Sequence, residues 1–141
     1  MAQNQELPHD LLAEKSLIGC LIIDGNAYDE IADLTLSKDD FHHPKYGLVF
    51  EIIKELYFSG SPIDYITLCS KLGERGRLEV IGGQGFITDL VEDQASTANV
   101  YHYAKIVKDK SSLRNIIRTA LRVADKGMNF EGSTQDYIQE V

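Results

Sequence analysis

The sequence predicts an all-α protein, and three observations carry that expectation. Apolar residues recur at three- and four-residue spacing in successive segments. Residues 98–126 run on without a single Gly or Pro. No segment reads as a β-strand, and Gly, Pro and Asp clusters punctuate the chain at short intervals. Six or seven helices joined by short loops are therefore expected.

Residues 1–6 are expected to be a disordered tail. Leu7-Pro8-His9-Asp10 leads into a helix over residues 11–23, with Leu11, Glu14, Ile18, Leu21 and Ile22 on one side and Leu17 beside it. Gly19 and Cys20 are small enough there to let another helix approach closely. Asp24-Gly25-Asn26 is a turn, and Asn26 is the expected cap of a short helix through Ile31 and Ala32. Ser37-Lys38-Asp39-Asp40 forms a capped turn that drops Phe41 into the core.

His43-Pro44 opens the next helix, with Pro at the favoured first position. Tyr46, Val49, Phe50, Ile53, Leu56 and Tyr57 give it the clearest amphipathic face in the chain, and Gly60 ends it. Asp64 is the expected cap of a helix through Thr67, Leu68 and Leu72 that stops before Gly76. Arg77–Ile81 reads as a short connector, extended in character. Gly82-Gly83-Gln84-Gly85 then opens a helix bearing Phe86, Ile87, Leu90 and Val91.

Ser96 or Thr97 caps the long helix expected over residues 98–126, and Gly127 ends it. At 1.5 Å per residue that rod is about 43 Å long, about the length of a small domain. It carries two apolar stripes. Val100, Tyr103, Ala104 and Val107 make the first; Ile106, Leu113, Ile117, Ala120, Leu121 and Ala124 make the second. Two stripes call for two packing partners, of which the second is a hairpin mate or another subunit. A single core helix with a solvated basic face also satisfies the periodicity. After a loop at 128–132, Ser133 starts a last helix with Tyr137, Ile138 and Val141. Two turns are too few to be stable alone, so position 141 is expected to be an arbitrary end.

Length and composition place limits on function. One core suits 141 residues, and 43% apolar with 26% charged residues is ordinary for a soluble globular domain. No apolar run reaches the ~20 residues that span a bilayer, and residues 1–6 lack the features of a signal peptide. Cys20 and Cys69 have no CxxC partner and read as buried thiols in a reducing cytosol, so a cytoplasmic location is expected. The net charge of −8 argues against a general nucleic-acid binder. The charge is unevenly spread. Residues 1–104 hold 7 Lys/Arg against 17 Asp/Glu, residues 105–126 hold 7 against 2, and residues 127–141 hold none against 3.

No catalytic constellation is legible. The chain has no GxxxxGK[ST], so it is not expected to hydrolyse ATP itself. The Gly82–Gly85 loop lacks the Lys of a phosphate loop and reads as a tight helix–helix turn. His42 and His43 are adjacent, with no third ligand at metal-site spacing, and His43 suits a helix entry. His9 and His102 are isolated. The pairs Asp39-Asp40 and Glu92-Asp93 suit capping or solvation, and Ser111-Ser112 has no partner base in a motif. No catalytic, cofactor-binding or metal residues are expected.

Four segments in register then suggest a family. They are Pro8-His9…Ala13-Glu14-Lys15-Ser16-Leu17-Ile18-Gly19, Gly60-Ser61-Pro62-Ile63-Asp64-Tyr65-Ile66-Thr67-Leu68, Gly76-Arg77-Leu78…Ile81-Gly82-Gly83, and Ser96-Thr97-Ala98-Asn99…Tyr103-Ala104-Lys105-Ile106-Val107-Lys108-Asp109-Lys110. In order and spacing they resemble the N-terminal domain of the bacterial replicative DNA helicase, the DnaB family. The resemblance covers about residues 7–141. Ala95 departs from it, standing where the family usually has Pro before Ser.

The resemblance implies a compact helical head over 7–95, followed by a helical hairpin over 96–141 whose second helix begins near 133 and is truncated. It also implies a non-catalytic collar domain. Such domains pair through their hairpins, three pairs cap a hexameric ring, and the collar binds primase. ATP, magnesium and most DNA contact would belong to a separate C-terminal motor. On this basis Leu113, Ile117, Leu121 and Ala124 are expected to mediate subunit pairing, packing against the second hairpin helix and a partner subunit. Arg114, Arg118 and Arg122, spaced i, i+4, i+8, are expected to form one basic row for primase, for a helicase loader or for a neighbouring head. The alternative is a small all-α nucleic-acid-binding module that uses the same row.

Overall fold

The computed structural model describes residues 6–92, 94 and 96–140; most of the expected tail, and Ala95, lie outside these. Seven α-helices and three short 3-10 segments account for the regular structure of the described residues, with no strand among them. The helices are α1 (Leu11–Ile23), α2 (Pro44–Phe58), α3 (Tyr65–Glu74), α4 (Leu78–Ile81), α5 (Gln84–Glu92), α6 (Val100–Asn129) and α7 (Thr134–Glu140).

Helix α1 is the axis of the head. The Asp10 carboxylate caps it by accepting the Ala13 N–H at 2.9 Å. Leu17, Ile18, Cys20 and Leu21 are fully buried, so the helix is apolar nearly all round and packs on several neighbours at once. Its contacts reach α2, α3, α5 and α6. Gly19 serves the close approach anticipated for it: a Cβ there would stand 2.4 Å from the Leu90 carbonyl oxygen of α5.

Helix α2 begins as its sequence indicates. The His43 ring Nδ1 accepts the Lys45 N–H at 3.2 Å, and Pro44 takes the first position. Val49, Phe50, Ile53 and Leu56 are buried in the core, with Tyr46 and Tyr57 at its margin. Phe41 is buried ahead of it, its ring 4.9 Å from that of Phe50. Asp64 caps α3 by accepting the Thr67 N–H at 2.9 Å. Both cysteines are free and buried. Burial pushes the Cys20 thiol up to about 11, so it stays protonated and unreactive at neutral pH.

Four local expectations are corrected. Residues 78–81 form one helical turn rather than an extended connector, closed by Gly82 at φ +107° and followed by Gly83 at φ +78°. Those two left-handed positions favour glycine and turn the chain straight into α5. Asp24, not Asn26, caps the segment Gly25–Glu30, accepting the Asn26 N–H at 3.2 Å, and that segment is 3-10. Helix α6 starts at Val100, and the Ser96 hydroxyl accepts the Ala98 N–H at 3.1 Å in the preceding turn. It also runs through Gly127 to Asn129. Gly127 is there for proximity, since a Cβ on it would meet the Tyr137 hydroxyl at 2.9 Å.

The 30 residues of α6 span about 45 Å. The first stripe behaves as expected: Val100, Ala104 and Val107 are buried against the head, and Tyr103 is half-buried. The last buried residue is Arg114; Asn115 and Arg118 still border the head, and the helix beyond them has no buried residue. Helix α7 folds back along them. The Ser133 hydroxyl accepts the Asp136 N–H at 3.1 Å, as its capping role requires. The Tyr137 hydroxyl donates to the Val123 carbonyl, the Phe130 and Tyr137 rings lie 5.4 Å apart, and Lys126 Nζ is 3.1 Å from Glu140 Oε1. The hairpin is thus held by a few contacts at its tip.

Candidate functional site on the long helix

Residues three and four apart share a helix face, which places Ile106, Leu113, Ile117, Ala120 and Ala124 on one side of α6. At its root, Ile106 borders α1 of the head. Leu113 and Leu121 are exposed, Leu121 at 62%; Ala124 is exposed and Ile117 half-buried. Ile116, Met128 and, on α7, Ile138 add further exposed apolar surface. The four residues expected to pair subunits therefore lie on one largely open strip, of which Ile117 is the most covered; α7 meets α6 instead at Val123, Lys126 and Gly127, which corrects the expected packing of the second hairpin helix on them. An apolar strip of this kind costs free energy in water and favours being covered.

The three arginines do not form one surface row. Arg118 and Arg122 are exposed. Arg114 is 2% exposed and faces inward. Its guanidinium donates to the Pro8 carbonyl at 2.9 Å and to the Asp40 carbonyl at 2.8 Å. Equal spacing put all three on one side of the rod, but the head covers only the first of them. Burial pushes the Arg114 pKa down, Arg118 adds to that, and the Glu14 and Asp40 carboxylates oppose it. Arg118 lines an open groove of about 790 Å³ with Lys38, Asp39, Lys108 and Asn115.

Around Arg114 lies a polar junction that periodicity did not reveal. Glu14, 1% exposed, accepts the N–H groups of His42 at 2.9 Å and His43 at 3.1 Å. The Asp40 carboxylate accepts the Ser37 N–H at 2.8 Å and the Ser111 hydroxyl at 2.6 Å. The His9 and His42 rings stack at 4.1 Å, so His9 is not isolated, and His9 Nε2 lies 3.5 Å from a Glu6 carboxylate oxygen. These contacts tie residues 6–10, α1, the entry to α2 and α6 together where the long helix leaves the head. The available signal was weak: a Glu on the apolar side of one helix and an Arg in line with the apolar stripe of another.

The junction predicts a pH dependence. Burial, with help from His9 and Arg114 and against Glu14 and Glu6, lowers the pKa of His42. The unfolded chain then binds a proton that the folded one resists. Stability contributed by neutral His42 is intact above the ordinary His pKa of ~6.5 and falls as pH drops through it toward the lowered folded value. The melting temperature should therefore fall between about pH 7.5 and about pH 5.5, and by less in His42→Asn. An identical fall in both proteins, by circular dichroism, removes His42 as a cause.

Among the described residues no three His, Cys, Asp or Glu are placed to hold a metal ion, and no helix is long and apolar enough to cross a membrane. The class that the geometry defines is an all-α head with a projecting helical hairpin that bears an open apolar strip. The chain belongs to the DnaB-like helicase N-terminal domain family, whose model matches residues 6–109. It is 38% identical over 133 residues to the replicative DNA helicase DnaB of Buchnera aphidicola, covering 94% of this chain. It spans 28–29% of the length of the curated replicative helicases it is similar to. The N-terminal domain of the DnaB helicase of Mycobacterium tuberculosis superposes with a TM-score of 0.87 at 30% identity, over 96% of this chain and 95% of that one. The N-terminal domain of the Helicobacter pylori DnaB helicase, described with its interactions with primase, has the same fold; its TM-score is 0.70 at 19% identity, over 83% and 90% of the two chains. The family assignment and the all-α class agree with what the sequence implied.

Proposed function

We propose that this chain is a non-catalytic collar domain of a hexameric replicative helicase, pairing its subunits and receiving primase. The observation that carries the reading is the open apolar strip of α6, which projects beyond the head with Leu121 at 62% exposure. Burying a Leu or Ile side chain is worth about 1.5–3 kcal/mol as an upper range, so Leu113, Ile117 and Leu121 give pairing a real driving force. Exposed Arg118 and Arg122 offer cations for an acidic partner surface, whether on primase, a loader or a neighbouring head. The larger size of the relatives supports a longer parent, in which an ATP- and magnesium-dependent motor lies outside these residues.

The test is the double variant Ile117→Asp, Leu121→Asp. Both positions lie on the strip and away from the head core, so the protein should keep its helical content and melt cooperatively. Its association constant should drop by tenfold or more, about 1.4 kcal/mol. Sedimentation unchanged from the parent protein at high concentration sinks the pairing role. Primase binding is read separately on Arg118→Glu, Arg122→Glu, where undiminished binding removes those cations from the interface. Tight, salt-dependent binding of single-stranded DNA by the parent protein would favour the nucleic-acid reading instead.

A further inference from the structure

The end of the head away from the hairpin carries a second open face. Pro8, just before α1, is held by Arg114 of α6, whereas Cys20, near the end of α1, has its Sγ 3.5 Å from the Ser96 carbonyl oxygen ahead of α6. The C-terminus of α1 at Ile23 therefore lies opposite the projecting part of α6. Helix α2 ends beside it. The turn at Gly25 packs so tightly on the segment after α2 that a Cβ there would stand 2.7 Å from the Ile63 side chain. Two grooves meet at Pro62 of that segment. One, of about 230 Å³, is lined by Gly25, Asn26, Asp29 and Tyr57. The other, of about 330 Å³, is lined by Leu56, Ile66, Thr67, Ser70 and Glu74.

This face is apolar and its surroundings are acidic. Phe58 is 70% exposed and Ile66 74%, among the most exposed large apolar side chains of the head. The Phe58 ring stands edge-on to Tyr57 at 5.2 Å, and Tyr57 stacks on buried Tyr28 at 4.1 Å. Apolar surface of this kind favours being covered. Residues 16–37 hold Asp24, Asp29, Glu30 and Asp33, all exposed, and no Lys or Arg. The bases of α2 and α3 are engaged locally: Lys54 donates to the Leu36 carbonyl at 3.1 Å, Lys71 lies 3.4 Å from Glu74, and Arg75 pairs with Glu55. The ends of α1 and α2 add the negative poles of two helix dipoles. A second acidic head would bring like charge to this face. An apolar segment that carries Lys or Arg complements it in both respects.

We propose that this distal face of the head docks a basic amphipathic segment of a partner protein, seated across Pro62 with a Lys or Arg beside Asp29 and an apolar side chain on Ile66. The Tyr57 hydroxyl donates to the Asp29 carboxylate and holds it at the groove, where it accepts the cation. The neighbouring rings of Tyr57 and Phe58 supply aromatic surface for the same cation. The apolar side chain fills the second groove, against Leu56 and Ile66. The face is separate from the α6 strip, so this inference goes beyond the pairing reading and stands or falls without it.

The probe is a synthetic helical peptide of about five turns, with Leu on one face and Lys and Arg on the other, titrated into isotope-labelled protein and followed by amide chemical shifts. Its control has Glu in place of every Lys and Arg. The basic peptide should move the amides of Asn26, Asp29, Tyr57 and Ile66, and the acidic control should leave them in place. Phe58→Ser, Ile66→Ser should weaken binding by about tenfold without lowering the melting temperature, since both side chains are exposed. Asp29→Asn, Glu74→Gln, which removes one charge from each groove, should weaken it and flatten its dependence on salt. Equal binding of the two peptides, shifts confined to α6, or undiminished affinity in Phe58→Ser, Ile66→Ser overturns the proposal. So do the same amides moving as the concentration of the protein alone is raised, which puts a second copy on this face.

Discussion

Arg114→Ala is expected to lower the unfolding free energy by about 3–5 kcal/mol, the range for removing one partner of a buried charged cluster. The side chain is 2% exposed and satisfies two carbonyls, those of Pro8 and Asp40. Its loss strands both acceptors and leaves the Glu14 and Asp40 carboxylates without the cation that faces them. The urea midpoint should fall at unchanged slope. Residues 6–10, which the Pro8 contact holds to the head, should lose protection from hydrogen exchange. Arg114→Lys should recover only part of the loss, because a single ammonium lacks the planar fork that reaches two carbonyls. A fall of less than ~1 kcal/mol in Arg114→Ala, the range of ordinary surface pairs, would falsify this account of the junction.

Glu14→Ala should cost about 2–4 kcal/mol. Its carboxylate accepts two backbone N–H groups at the entry to α2, His42 at 2.9 Å and His43 at 3.1 Å, and each donor left unmet costs about 1–3 kcal/mol. Glu14→Gln should sit between the variant and the parent, since an amide offers one acceptor oxygen and turns a donor toward the second N–H. The two residues share one junction, so Glu14→Ala, Arg114→Ala should cost less than the two single losses together. Additive losses in chemical denaturation would show that they act independently.

The consequence for function is mechanical. The junction lies where α6 leaves the head, and four further turns of helix follow it. A small change of angle there moves the hairpin tip farther than it moves the root. Variants at Arg114 should therefore perturb pairing in addition to stability, whereas Ile117 and Leu121 variants should perturb pairing alone.

Most of the head was legible from residues. Asp10, His43 and Asp64 announce helix starts because capping chemistry is local and short-range. The spacing of Val49, Phe50, Ile53 and Leu56 sets the buried face of α2 for the same reason. The second stripe of α6 was legible as a pattern, but its expected packing against the second hairpin helix is not met: Leu113, Ala120, Leu121 and Ala124 are exposed, and α7 meets α6 at Val123, Lys126 and Gly127 instead. The end of α6 was misjudged. Gly127 carries a stop signal, yet packing of Tyr137 against it keeps the helix going. Residues 78–81 were misjudged too, because a single turn is too short to carry a period.

By itself the sequence determined the all-α class, most of the helix starts, the two stripes of the long helix and the family. Each follows from a local rule or a pattern that repeats along the chain. Only the tertiary structure decided which side chains of that pattern meet a partner. Arg114, Arg118 and Arg122 are identical in type and evenly spaced, yet one is buried and two are exposed. The difference arises because Pro8 and Asp40 cover Arg114 whereas Arg118 lies on the open groove beside Lys38 and Asp39, and where the head covers a helix is set by the packing of residues distant in the chain. Glu14, Asp40 and Arg114 are far apart in sequence and form one junction for that reason.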